Sequence, residues 1–110
     1  MLIEQPPAII QKLYPSLNWY EKTKEKEVFI TFDDGPTEGV TDQVLQILES
    51  FKSKATFFCL GKNVAQNPEI YHRILAAEHG IGNHTYNHLN GWKTTTRDYL
   101  SDALEAKTHI

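Results

Sequence analysis

The sequence predicts an α/β fold, and three features carry that expectation: short apolar strand-like runs, helical apolar spacings between them, and polar clusters where the runs end. The runs begin at Val28, Lys54 and Ile81, and a helix pattern follows each in turn. Strand, helix, strand, helix, strand, helix is the order of a parallel sheet with right-handed crossovers, either an open sheet or part of a barrel.

Residues 1–27 read as a leading arm, and residues 28–110 as the folded unit. Pro6, Pro7 and Pro15 punctuate the arm. Ile9, Ile10, Leu13 and Leu17 suit one or two helical turns whose apolar face docks on the domain, and Trp19 and Tyr20 are expected to cover core. Glu21 to Glu27 mixes both charges and reads as a solvated loop. Val28 to Phe32 is β-branched and aromatic, and Asp33-Asp34-Gly35-Pro36 turns the chain after it. Thr41 or Asp42 opens a helix with Val44, Leu45, Leu48 and Phe51 at helical spacing. Lys54 to Leu60 is almost continuously apolar, the pattern of a strand buried on both faces, and Gly61 ends it. Asn67-Pro68-Glu69 starts the next helix: Asn caps, Pro fits the first position and Glu suits the positive dipole end. That helix carries Ile70, Ile74 and Leu75 and should stop near Gly80. Ile81 to Asn83 makes a third strand. Thr94 to Thr96 caps a last helix holding Tyr99, Leu100, Ala103 and Leu104.

Composition excludes several classes of function. With 110 residues the chain suits one small domain, and 40% apolar residues are enough for a core. A net charge of −3 with no basic stripe gives no support for nucleic acid or an anionic membrane as partner. No apolar run approaches the roughly 20 residues of a membrane span. No secretory signal is visible, so a cytoplasmic location is the default, with the cell envelope and secretion left open. Cys59 is the one cysteine; it cannot form an internal disulfide and reads as a buried core residue.

The chemistry concentrates in two clusters. Chemistry in such barrels gathers at the C-terminal ends of the strands. Asp33-Asp34 follows the first strand and His84 to His88 the third, so the two clusters should meet, although about fifty residues separate them. If residues 84–88 are helical, His84 and His88 lie one turn apart on one side and can share a metal. Asp34 is the obvious third donor, and two imidazoles with one carboxylate leave positions open for water and substrate. Adjacent aspartates in an extended segment face different ways, so one can bind metal while the other reaches a bound water as general base. Alone, the histidine spacing also describes two surface residues, and Asp-Gly-Pro an ordinary turn. Trp92 could floor a sugar site or anchor packing. His72, His79 and His109 read as structural or surface residues, with His79 placed to offset a helix dipole.

Thr31-Phe32-Asp33-Asp34-Gly35-Pro36, Lys54-Ala55-Thr56-Phe57-Phe58 and Gly82-Asn83-His84-Thr85-Tyr86-Asn87-His88 together resemble the polysaccharide deacetylase family. This is carbohydrate esterase family 4, which shares the NodB homology domain and includes chitin and peptidoglycan deacetylases. The resemblance runs from about Val28 to the end of the chain. It implies a distorted (β/α) barrel, of which about the first half is present, and a hydrolase that removes N- or O-acetyl groups from chitin-like chains, peptidoglycan or xylan. It makes Asp33 the general base, and Asp34, His84 and His88 the ligands of a divalent metal, usually zinc. Thr85 would support the histidines.

The sequence also departs from the family pattern. The Arg-Pro-Pro-Tyr-like segment, the later groove motif and the final Leu-x-His are absent from these 110 residues. Lys107-Thr108-His109 is not that last motif. Impaired turnover is therefore expected. The competing expectation is a non-catalytic fragment that binds a metal or glycan. Half a barrel would leave open sheet edges, which self-association could cover.

Overall fold

The computed structural model describes residues 6–20 and 23–110. The elements run α1 (Ala8–Leu13), β1 (Thr31–Asp33), α2 (Val40–Ser50), β2 (Thr56–Cys59), α3 (Gly61–Gln66), α4 (Pro68–Ala76), β3 (Gly80–Asn83) and α5 (Thr96–Lys107). The three strands form one parallel sheet in the order β1-β2-β3. Their C-terminal ends therefore share one side. No helix among the described residues is long and apolar enough to cross a membrane.

The core lies where α2 and α4 cover β2. Leu48, Ala55, Phe57, Cys59, Val64, Tyr71 and Ile74 pack together, with Phe32, Val44, Leu45 and Ile81 at the margin. Arg73 on α4 reaches Asp42 on α2 with two hydrogen bonds of 2.8 and 2.9 Å and ties the helices at the surface. Burial alternates along β2: Phe57 and Cys59 are buried, Thr56 and Phe58 only partly. The expectation of a strand buried on both faces is thus half met, because only one face carries the helices. On β3, a Cβ added at Gly82 would run into the Phe58 ring, so glycine is what lets that ring lie across the strand.

Several boundaries differ from the sequence expectation. β1 starts at Thr31, and Val28 and Phe29 are 85% and 66% exposed. Pairing reaches only as far as Ile30, whose carbonyl accepts from Thr56 N–H at 2.9 Å; there the ladder to β2 ends. α4 stops at Ala76, four residues before Gly80. Its Pro sits at the first position as expected, but Asn67 makes no side-chain cap; its amide donates to the Asn63 carbonyl at 3.1 Å instead. α3 was not foreseen, since Gly-Lys-Asn-Val-Ala-Gln shows no helical apolar period.

The arm does not dock as expected. α1 forms, but it buries no residue, and Ile9, Leu13, Leu17 and Tyr20 are exposed. A helix of six residues cannot stand on propensity alone, and the arm closes on itself: Trp19 Nε1 donates to the Tyr14 carbonyl at 3.0 Å, and Gln11 Nε2 to that of Pro6 at 2.9 Å. Of the mixed-charge loop, residues 23–27 are coil and exposed, while Glu21 and Lys22 lie outside the described residues, as do Met1 to Gln5.

Candidate metal centre

The parallel sheet brings the two polar clusters to one place. Asp33 ends β1 and Asn83 ends β3, so Asp34 and His84 both follow directly from strand ends. Asp34 Oδ1 lies 3.3 Å from His84 Nε2 and 3.4 Å from His88 Nε2. The donor atoms of the three residues all lie within 4.8 Å of one another.

Local backbone geometry aims each donor. Asp34 adopts φ +71°, a left-handed conformation that aspartate tolerates better than most residues and that swings its side chain out of the strand's alternation. Its N–H still donates to the Phe58 carbonyl at 3.1 Å, and its own carbonyl accepts from Asn63 Nδ2 at 2.6 Å. His84 N–H extends the ladder to the Cys59 carbonyl at 2.9 Å. Residues 84–88 are not helical. Left-handed φ values at Thr85 (+68°) and His88 (+57°) fold the segment into a compact loop, and this loop, not one helical turn, sets the histidines together.

The loop is held from three sides. Asn83 Oδ1 accepts from Thr85 N–H at 2.8 Å, and Thr85 Oγ1 accepts from His88 N–H at 3.2 Å. The N–H of Gly61, which opens α3, donates to the Thr85 carbonyl at 3.0 Å. From α5, Asp102 accepts from the N–H groups of Tyr86 and Asn87 at 2.8 and 2.9 Å and from Asn87 Nδ2 at 2.7 Å. Burial pushes the Asp102 carboxyl up, but those donors and the Thr85 hydroxyl outweigh it and hold it below the usual carboxylate range.

The donor set fits a divalent ion. Tetrahedral bonds of about 2.0–2.1 Å put neighbouring ligand atoms about 3.3–3.4 Å apart, which matches both Asp34–histidine separations. A charge-assisted N–H···O bond would be shorter, about 2.7–2.9 Å. One carboxylate and two neutral imidazoles suit zinc chemistry and leave part of the coordination sphere open.

The other sequence candidates fall around this cluster or away from it. Asp33 is exposed at the same strand end but is not one of the three converging residues. Trp92 is fully exposed on the turn after the loop. His79 is buried, and its Nδ1 accepts from Ala55 N–H at 3.3 Å. Burial, with a smaller push from Lys54, lowers its pKa, so it is a neutral core residue and not a charge that offsets the helix dipole. Cys59 is fully buried, and burial pushes its thiol up to about 11. A cleft of about 870 Å³ bordered by Leu45, Arg73 and His79 opens at the N-terminal ends of the strands, opposite the cluster.

Asn63 and Asp102 escaped the sequence reading, and Gly61 was read only as the end of the second strand. Asn63 and Gly61 sit in the unforeseen α3, and Asp102 stands among the charged residues of a helix read for its apolar ones.

Residues 20–110 match the family model described as polysaccharide deacetylase. The chain is 41% identical over 91 residues to a peptidoglycan-N-acetylglucosamine deacetylase of Bacillus cereus, covering 83% of this chain and 43% of that protein. It is 39% identical over 93 residues to a chitooligosaccharide deacetylase of a Bradyrhizobium strain, covering 84% of this chain and 42% of that protein. The solved peptidoglycan deacetylase PdaC from Bacillus subtilis superposes with a TM-score of 0.73 at 33% identity, over 77% of this chain and 42% of that one. The chain thus spans less than half the length of these relatives. The α/β sheet matches part of the fold of these deacetylases, and with the family match running from residue 20 to residue 110, the chain belongs to the polysaccharide deacetylase family.

Proposed function

We propose that this chain carries the metal-binding and water-activating part of a deacetylase that hydrolyses N- or O-acetyl groups on a carbohydrate polymer. The convergence of Asp34, His84 and His88 at the strand ends is the observation that supports it. Relatives named for peptidoglycan and for chitooligosaccharides point to acetamido sugars as the first substrate class to test.

Asp34, His84 and His88 hold a divalent ion, zinc first, which supplies Lewis acidity toward the acetyl carbonyl and makes a nearby water more acidic. Asp33, at the same strand end and outside the ligand set, takes the proton of the attacking water on its carboxylate. For an acetamide the carbon–nitrogen bond then breaks, acetate leaves, and the amine takes up a proton. No second histidine motif in these 110 residues supplies that proton, so the 110 residues alone turn over slowly. Trp92, fully exposed beside the loop, offers a ring face to a sugar. A binding-only reading, metal or glycan held without turnover, rests on the same exposed Trp92.

Calorimetric zinc titration tests the proposal. Wild type should bind one ion, His84→Ala should lose it, and Asp33→Asn should keep it while losing any acetate release from an acetylated chito-oligosaccharide. Loss of zinc in Asp33→Asn would overturn the division of labour between the two aspartates. Zinc binding with no acetate release in wild type would favour the binding-only reading.

A further inference from the structure

Asp102 makes a set of contacts that the deacetylation chemistry does not itself call for. It lies on α5, 5% exposed, and its carboxylate points at the back of the histidine loop. Oδ2 accepts from two successive N–H groups, those of Tyr86 and Asn87, and Oδ1 from Asn87 Nδ2. These donors belong to Tyr86 and Asn87, in the segment between His84 and His88. Successive N–H groups converging on one anion form a nest, and here the anion is a side chain of the protein.

The consequence runs on to the metal donors. Next to the residues that Asp102 holds, Thr85 Oγ1 accepts from the His88 N–H, 3.2 Å away. On the other side, Asn83 joins the same helix to the same loop: Nδ2 donates to the Ala103 carbonyl at 2.8 Å while Oδ1 holds Thr85 N–H. Both left-handed residues, Thr85 and His88, are thereby tied through α5. Burying a carboxylate is unfavourable unless its hydrogen bonds are met. An alanine would allow α5 to pack as well, as Ala106 does one turn later against Gly61 with no exposed surface. The carboxylate serves the loop.

We propose that Asp102 is a positioning residue for the metal centre: it imposes the loop conformation that holds His84 and His88 at bonding distance from one ion. The proposal rests on the metal-site reading above, and its test separates the two. Asp102→Asn keeps the shape but removes the charge and sets an amide where a second acceptor is needed. Zinc affinity should fall about 10–100-fold, as for partners that orient metal ligands elsewhere. In the metal-free protein, amide exchange at Tyr86, Asn87 and His88 should speed up about tenfold or more, with the β2 amides unchanged. Ile74→Val serves as a control: it loosens the core without touching the loop and should leave zinc affinity as it was. If Asp102→Asn does not yield folded protein, Thr85→Val and Asn87→Ala remove single bonds of the network and should each weaken zinc binding severalfold.

Unchanged loop exchange in Asp102→Asn, or an equal loss of zinc affinity in Ile74→Val, overturns the inference. Absence of zinc binding in wild type sinks the metal reading alone, and the exchange data still decide the role of Asp102 in the loop.

Discussion

α4 and α5 make an instructive pair. α4 buries two of the apolar residues its spacing advertises, Ile70 and Ile74, with Tyr71 beside them in place of the exposed Leu75. α5 buries an aspartate and an alanine, Asp102 and Ala106, and leaves Leu100 and Leu104 more than half exposed. Residues two positions apart on a helix are about 200° apart around its axis, so the leucines face away from everything the aspartate touches. Hydrophobic burial orients α4, and hydrogen bonds to the histidine loop orient α5. The two helices should therefore fail in different ways.

The largest effect belongs to α4. Ile74 has no exposed surface, and Ile74→Ala should lower stability by about 2–5 kcal/mol, the transfer term plus a cavity. A urea melt reads it, and a loss under about 1 kcal/mol would mean that the core collapses around the gap.

Next comes the seam between the loop and α5. A Cβ added at Gly61 would stand 2.6 Å from Tyr86 Cδ2 and 2.7 Å from Ala106 Cα. In an unobstructed helix, glycine to alanine stabilises by about 0.5–1 kcal/mol. Here the backbone of α5 is one of the obstacles, so Gly61→Ala should instead lose about 1–3 kcal/mol and weaken zinc binding. A gain in melting temperature would show that α5 slides freely and does not hold the loop.

That contrast also sorts what was legible in the sequence. The alternation of strands and helices was legible because apolar period reports it directly. So were the Pro68 helix start and the meeting of Asp34 with His84 and His88, because parallel strands put their C-terminal ends on one side. The buried face of α5 was not, since the leucines at 100 and 104 carry the stronger pattern and hydrogen bonds to a loop leave no period. The helical reading of residues 84–88 failed for a related reason: the loop conformation depends on a carboxylate some fifteen residues on. The arm failed because apolar spacing at Ile9, Leu13 and Leu17 says a face exists and not that anything receives it.

A weaker, pH-dependent effect separates the two regions again. His79 caps the α4 side of the core as a neutral acceptor, with its pKa lowered by burial and then by Lys54. The unfolded chain takes up that proton first, near pH 6.5, so it binds more protons than the folded state just below that pH. Stability from His79 is thus present above about pH 6.5 and drains away as pH falls toward the lowered folded value. Metal-free His79→Gln should show a flatter stability profile between pH 7.5 and 5.5 than wild type. Parallel profiles would mean that Ala55 N–H does not depend on the imidazole.

The smallest effect is the sharpest test of the contrast. Leu104 is 55% exposed on the face of α5 opposite Asp102, and glutamine matches leucine closely in helix propensity. Leu104→Gln should change stability by no more than about 0.5 kcal/mol and leave zinc affinity unchanged. If the same exchange instead cost 2 kcal/mol or more, with a dependence on protein concentration, the outer face of α5 would be covered in solution by another copy of the chain. Apolar burial would then orient α5 after all, from outside, and the bonds of Asp102 to Tyr86 and Asn87 would follow from that docking and not cause it.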